Sequence, residues 1–518
     1  MSNRPADTVF QLIKSLQKSE KRNFKLFARR NSAAEDLKTI QLFDAMDAIA
    51  EYDEKQILKK ARGVSKLQLS NVKANLYKQI LSSLRLIKED DNIDIQLHEQ
   101  MDYARILYNK GLYMQALKLI EKLKESARHY QQPTFLQQAL FFEKKIEALY
   151  ITRSIHNRAG ELTEESNKVN EEITRVNALS NLALQLYSWY IQNGLARNQR
   201  DLKDLKQLFD GQLNISIIEL HSFYEKVYYY QCRCWYAFIG RDFLNHYRYS
   251  HKWVSLFEDA PAMIQAETAM YIKGVHNLMS AYFDLLNHEA LAESIKKFER
   301  FVQCKTVQQN DNNRILAYQY LYTSRINLYF LQGKFSKGLR LVPFLEEMLK
   351  TYQPYLDTHR VLVFYYKIAC LYFGSGQYDA AIDYLHRIIH QKGDLRTDLQ
   401  CYARLLHLIA HYEMGNFDLL EYLSKSVYRY MAKMKNLSKV EEEMFGFIRR
   451  SLKVGARGIK PELEKLLTKL KRWEKDPLEN RAFAYLDVLS WLESKINGGN
   501  VQDIIGKKYA RSKLSKKE

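Results

Sequence analysis

Apolar residues between positions 365 and 388 fall on two helical stripes. Tyr365, Ile368, Ala369 and Tyr372 stand at i, i+3, i+4 and i+7, and Tyr378, Ala381, Leu385 and Ile388 continue the pattern after Gly374-Ser375-Gly376. This spacing gives each of two helices one apolar face, and the glycines supply a tight turn between them. The same turn signal recurs at Asn109-Lys110-Gly111, Gln192-Asn193-Gly194, Phe238-Ile239-Gly240, Leu331-Gln332-Gly333 and Glu413-Met414-Gly415. An aromatic residue follows most of these turns: Tyr113, Phe243, Phe335, Tyr378 and Phe417. Gly333, Gly376 and Gly415 lie roughly forty residues apart, and the double gaps elsewhere place further turns near His156-Asn157 and Asn287-His288. The pattern predicts about eight helix pairs between residues 95 and 450. One pair cannot bury its own stripe, but stacked pairs bury it continuously.

The two ends read differently. Helices are predicted over Phe10–Arg29, Ala34–Ala50, Glu54–Ala61 and Lys66–Lys88, with Gly63 at positive φ and Ser65 as a cap in the Arg62-Gly63-Val64-Ser65 turn. Three more are predicted near 439–453, 461–475 and 480–496, with Pro461 at a helix start and a mobile Lys-rich tail from Gly506.

Residues 365–388 resemble the tetratricopeptide repeat, in the large Tyr365, the Ile368-Ala369 pair, Tyr372, Gly376, Tyr378 and Ala381. Residues 103–123 (Ala104, Gly111, Tyr113, Ala116), 322–345 (Tyr322, Tyr329, Gly333, Phe335, Gly338) and 404–427 (Gly415, Phe417) share parts of that motif. The resemblance implies an all-α fold: a right-handed superhelical solenoid of helix pairs over 93–453, a basic helical domain over 1–92, and capping helices with a Lys-rich tail over 454–518. It further implies a non-enzymatic scaffold or adaptor that holds a peptide or helix of a protein partner in a concave groove. The groove positions are Tyr320, Asn327, Phe330, Tyr366, Cys370, Phe373, Tyr402, Ile409 and Tyr412. Family members that clasp a terminal carboxylate carry Lys and Asn there, and only Asn327 corresponds. The chain's own C-terminal helices, or a second copy, are the competing occupants of so apolar a groove.

Composition narrows this reading. With 46% hydrophobic and 27% charged residues, the chain has a globular profile. Only 19 Gly and 7 Pro among 518 residues favour long helices over strands. The first ten residues hold no signal-type apolar core, and no apolar run is long enough to span a membrane. Five cysteines in apolar helical sequence fit reduced, buried thiols in the cytoplasm, with Cys232 and Cys234 on different helix faces.

The net charge is +19, and the basic excess sits at the two ends. It supports an alternative: a regulator whose N-terminal helices bind nucleic acid through Lys21, Arg22, Lys25, Arg29, Arg30, Lys66 and Lys73, with Phe24 and Phe27 interleaved. A solvated helix face explains the same residues more simply.

No phosphate loop, nucleophile elbow or zinc-helix motif is present, so neither an enzyme nor a cofactor is expected. His386 and His390 form one i, i+4 pair, and His407 and His411 another. Repeat register assigns the two pairs to different faces, so no metal is expected there.

Overall fold

The computed structural model describes residues 7–30, 34–87, 92–150, 157–213, 216–352, 355–391, 396–434, 437–454, 456–474, 476, 478–479 and 487–514. Every regular element among the described residues is helical. No helix among them is long and apolar enough to cross a membrane. The chain divides into two compact units, Met1–Val169 and Asn170–Glu518.

In the first unit, Val9, Ile13, Phe24, Phe43, Met46, Ile57, Leu76 and Ile80 close a core among the N-terminal helices. The single helix expected over Phe10–Arg29 is two, Thr8–Ser15 and Lys18–Arg30. Leu16 turns to extended backbone, and the Glu20 carboxylate accepts the Gln17 N–H at 2.9 Å, which starts the second helix. Ser65 caps as expected, accepting the Gln68 N–H at 3.3 Å. Gly63 does not take a positive φ; its N–H donates instead to Gln41 at 3.0 Å. Ile93–Asn109, Tyr113–His129 and Pro133–Glu147 then pack one on the next.

In the second unit, neighbouring helices pack in chain order. Phe223–Ile239 lies on Phe243–Glu258, which lies on Thr268–Asp284. Thr268–Asp284 packs on Asp311–Gln332, which meets Thr358–Gly374; that helix contacts Tyr378–Ile389 and Thr397–Glu413. The turn signals are realised at Gly111, Gly194, Gly333, Gly376 and Gly415, all at positive φ, and at Asn157. Two turns shift by one residue. Gly240 stays right-handed and Arg241 takes φ 61°, while Leu286 at φ 53° precedes Asn287, whose side chain caps Ala290.

Two expectations at the C-terminus are corrected. Pro461 lies inside Ala456–Trp473 rather than at its start. The Lys-rich tail is helical, Val501–Leu514, because Val501 and Ile505 share a buried face. That helix lies on Gly333, where a Cβ would stand 2.4 Å from the Gln502 carbonyl oxygen, so only glycine permits the approach. Ser512 meets His288 at 2.9 Å, and Trp491 and Lys495 both donate to Glu413 at 2.6 Å. The C-terminal helices thus engage the turns at 288, 333 and 413.

Candidate functional site

The residues expected to form an open aromatic groove are largely packed away. Tyr366, Phe373, Tyr402, Tyr412 and Asn327 are buried, with Cys370 and Ile409, while Tyr320 and Phe330 are half-buried. A helix in a serial array meets its own partner and both neighbours, so positions flanking the core stripe are covered too. Tyr412 faces Trp491 at 6.2 Å between ring centroids, so a C-terminal helix covers that position. Phe330 stacks on Phe335 at 5.5 Å.

A different set meets within the second unit. Tyr187 and Tyr190 come from Arg158–Asn193, Lys273 and His276 from Thr268–Asp284, Tyr320 from Asp311–Gln332, and Arg360 and Lys367 from Thr358–Gly374. Each keeps part of its surface open to water. The His276 ring lies parallel to Tyr320 with centroids 3.8 Å apart, and Arg360 sits 5.9 Å above the Tyr320 ring. Lys273 stands over Tyr187 at 5.3 Å and Trp235 at 5.6 Å. Lys367 donates to the Asn327 Oδ1 at 2.5 Å and stands 5.6 Å from the Phe330 ring. Arg396 lies 5.4 Å over Tyr190, and Asp398 lies against Gly194. Together they form one partly exposed cluster of rings and cations.

Its electrostatics are unbalanced. Neither Lys273 nor Lys367 has a carboxylate within ion-pair distance among the described residues, and Lys273 has no hydrogen-bond acceptor among them. Burial pulls both ammonium groups down to about 8. Burial, and then repulsion from Lys367, Arg360, His246 and Lys273, holds His276 neutral, at about 3. The His276 Nδ1 and the Trp235 Nε1 find no partner among the described residues. Asp284 instead faces His246 at 3.6 Å. Burial opposes charge on His246, but Cys234 and Asp284 outweigh it and raise the ring to about 9.

The two histidine pairs meet, contrary to the expected separation of their faces. His407 Nε2 lies 2.9 Å from His386 Nε2 and 3.3 Å from His411 Nε2. Tyr378–Ile389 packs directly on Thr397–Glu413, so its second face is an interface and not an outer surface. Burial, then His411 and His386, lowers His407 to about 3. Among the described residues no group of three or more His, Cys, Asp or Glu has the arrangement of a metal site. Cys304 is exposed, while the other four cysteines are buried.

The N-terminal cations split into two groups. Lys21 pairs with Asp47 at 2.6 Å, Lys25 with Asp44 at 2.6 Å, and Lys73 with Asp7 at 2.7 Å. Arg22, Arg29, Arg30 and Lys66 are exposed. Two surface hollows also carry cations: Arg105 and Arg325 face Asp102 and Glu299, and Lys145, beside Arg105, stands 5.5 Å from the Tyr108 ring.

Sequence reasoning missed Lys273, His276 and Lys367, although a signal existed. Lys367 is the single charged residue between Val361 and Phe373, and Lys273 the single one between Thr268 and Phe283. No protein-family model and no curated protein sequence matches the chain.

Proposed function

We propose that the chain is a non-enzymatic scaffold, an array of tetratricopeptide-like helix pairs forming a right-handed superhelical solenoid, that holds a segment of a partner protein against this cluster of rings and cations. One observation carries this reading: aromatic faces and unpaired ammonium groups from four separate helices converge where water still reaches them. Tyrosine rings offer broad contact area at low entropic cost, and enclosed cations offer orientation. The C-terminal helices engage turns at 288, 333 and 413, and of the groove residues they cover Tyr412. A cytoplasmic location fits five free cysteines, four of them buried.

The test is selection of a phage-displayed random dodecapeptide library on the full chain. Enriched peptides are then measured against a Tyr187→Ala/Tyr320→Ala double variant. The scaffold reading expects at least about tenfold weaker binding to the variant. Undiminished binding by the variant contradicts it. The nucleic-acid alternative now rests on Arg22, Arg29, Arg30 and Lys66, the four cations left exposed. A duplex-DNA titration with no salt dependence would remove it.

A further inference from the structure

We propose that this cluster selects a segment carrying acidic side chains, whose carboxylates lie against Lys273 and Lys367. This rests on the scaffold reading and adds the chemistry of the ligand. Several enclosed cations of the chain do have counter-charges. Lys124 has Glu143 at 2.6 Å and Glu121 at 2.7 Å, Arg396 grips both oxygens of Asp398 at 2.8 Å, and Arg158 reaches Glu143 at 2.7 Å. A charge withdrawn from water without a counter-ion is costly, and a fold retains one where something else supplies the opposite charge. Lys367 has one neutral amide oxygen, and Lys273 has only ring faces. The carboxylate whose field reaches Lys367, Asp284, faces His246.

The same geometry favours carboxylates over phosphates. Phosphate recognition draws on the flat, two-pronged guanidinium group. Both guanidinium groups in this cluster are engaged: Arg360 with Asp357 at 3.2 Å, and Arg396 with Asp398. The cations here without a carboxylate are two ammonium groups, compact point charges suited to single carboxylate oxygens. His276, held neutral, adds no positive charge of its own beside them. Tyr187, Tyr190 and Tyr320 offer flanking rings to the apolar stems of such a segment.

The experiment uses the full chain and the same dodecapeptide selection. Enriched peptides are resynthesised in three forms: as selected, with every Asp and Glu changed to Asn and Gln, and with one Glu changed to phosphoserine. Affinities are read by fluorescence anisotropy. The proposal expects Asp and Glu to be enriched over the input library, and the amide form to bind at least about tenfold more weakly. Lys273→Gln/Lys367→Gln should abolish that preference, and Lys273→Arg/Lys367→Arg should retain it, with both variants checked for native helicity. Enrichment of neutral or basic peptides, or a preference that survives the Gln pair, overturns the acidic assignment and leaves the scaffold reading standing. A phosphoserine form that binds tenfold tighter overturns the choice of carboxylate. No enrichment over a control protein overturns the scaffold reading and this proposal together.

Discussion

Lys124 ends 2.6 Å from Glu143 and 2.7 Å from Glu121, whereas Lys367 ends against a single amide oxygen, that of Asn327, at 2.5 Å. Both lysines are drawn out of bulk water, one in each compact unit. Lys124 and Glu143 sit fully inside the helix packing of the first unit, with Arg158 on the other carboxylate oxygen. Lys367 keeps partial access to water in a cluster with Lys273, His276 and Tyr320. The first arrangement is closed: each charge has its opposite within the chain. The second is open, and its missing half is a place for something else. Burial of a cation therefore does not by itself report a function; burial without a counter-charge, beside accessible aromatic faces, points to one.

This contrast can be broken in several ways. Glu143→Ala strips the closed site of its shared carboxylate and leaves Lys124 with Glu121 alone. It should lower stability by about 3–5 kcal/mol in urea unfolding. Acid should come next in effect. His276, His359 and His407 are held neutral in the fold, at about 3, about 4 and about 3, against 6.5 in the unfolded chain. Between pH 6.5 and 4 the unfolded chain therefore binds more protons, so stability should fall as pH falls through that window. His276→Phe, which keeps a ring on Tyr320, should make that fall shallower; an unchanged slope would deny that His276 is held neutral. His246 works in the opposite sense, contributing stability that is lost as pH rises from 6.5 to about 9.

The open site makes its own prediction at alkaline pH. Lys273 and Lys367 sit at about 8 in the fold against 10.5 otherwise, so the unfolded chain holds more protons from pH 8 to 10.5. Their contribution to stability should rise across that window, and binding of an acidic peptide should weaken as the pH passes 8. The double change Lys273→Met/Lys367→Met should remove both trends. The smallest effect belongs to the N-terminal surface. Lys21→Ala and Lys25→Ala each break a partly exposed pair and should cost about 0.2–1 kcal/mol, less in high salt. A larger loss there would mean that surface pairing carries weight this account gives to burial.

The helical architecture was legible because turns and apolar stripes are local. Gly333, Gly376 and Gly415 announce their left-handed turns, and the apolar residues around them place the helices. The turns at Arg241 and Leu286 slipped by one residue because the flanks decide which position bends: Gly240 stays right-handed beside Arg241, and Leu286 bends with no glycine next to it. The helical tail was missed because its lysines dominate its composition, while its docking depends on Val501, Ile505 and the bare backbone at Gly333. How far the aromatic positions are covered was illegible for a similar reason. Register tells which side of a helix a residue occupies, but not how many neighbours cover that side, and Tyr366, Phe373 and Tyr402 turn out to be covered. The meeting of His386 with His407 depended on the next helix along the chain. Lys273 and Lys367 could have been flagged as lone charges in apolar helices; that both lie within reach of His276 required the fold.

The most direct test compares Lys124→Met with Lys367→Met in urea unfolding at pH 7, without any ligand. Methionine keeps most of each side chain's apolar reach and removes the charge. The account predicts that Lys124→Met loses about 2 kcal/mol or more, because it unbalances a closed ion-pair network. Lys367→Met should lose nothing and gain up to about 2 kcal/mol, because it deletes a charge the fold leaves uncompensated. A loss at Lys367→Met equal to that at Lys124→Met would contradict the claim that Lys367 is kept for something beyond the fold.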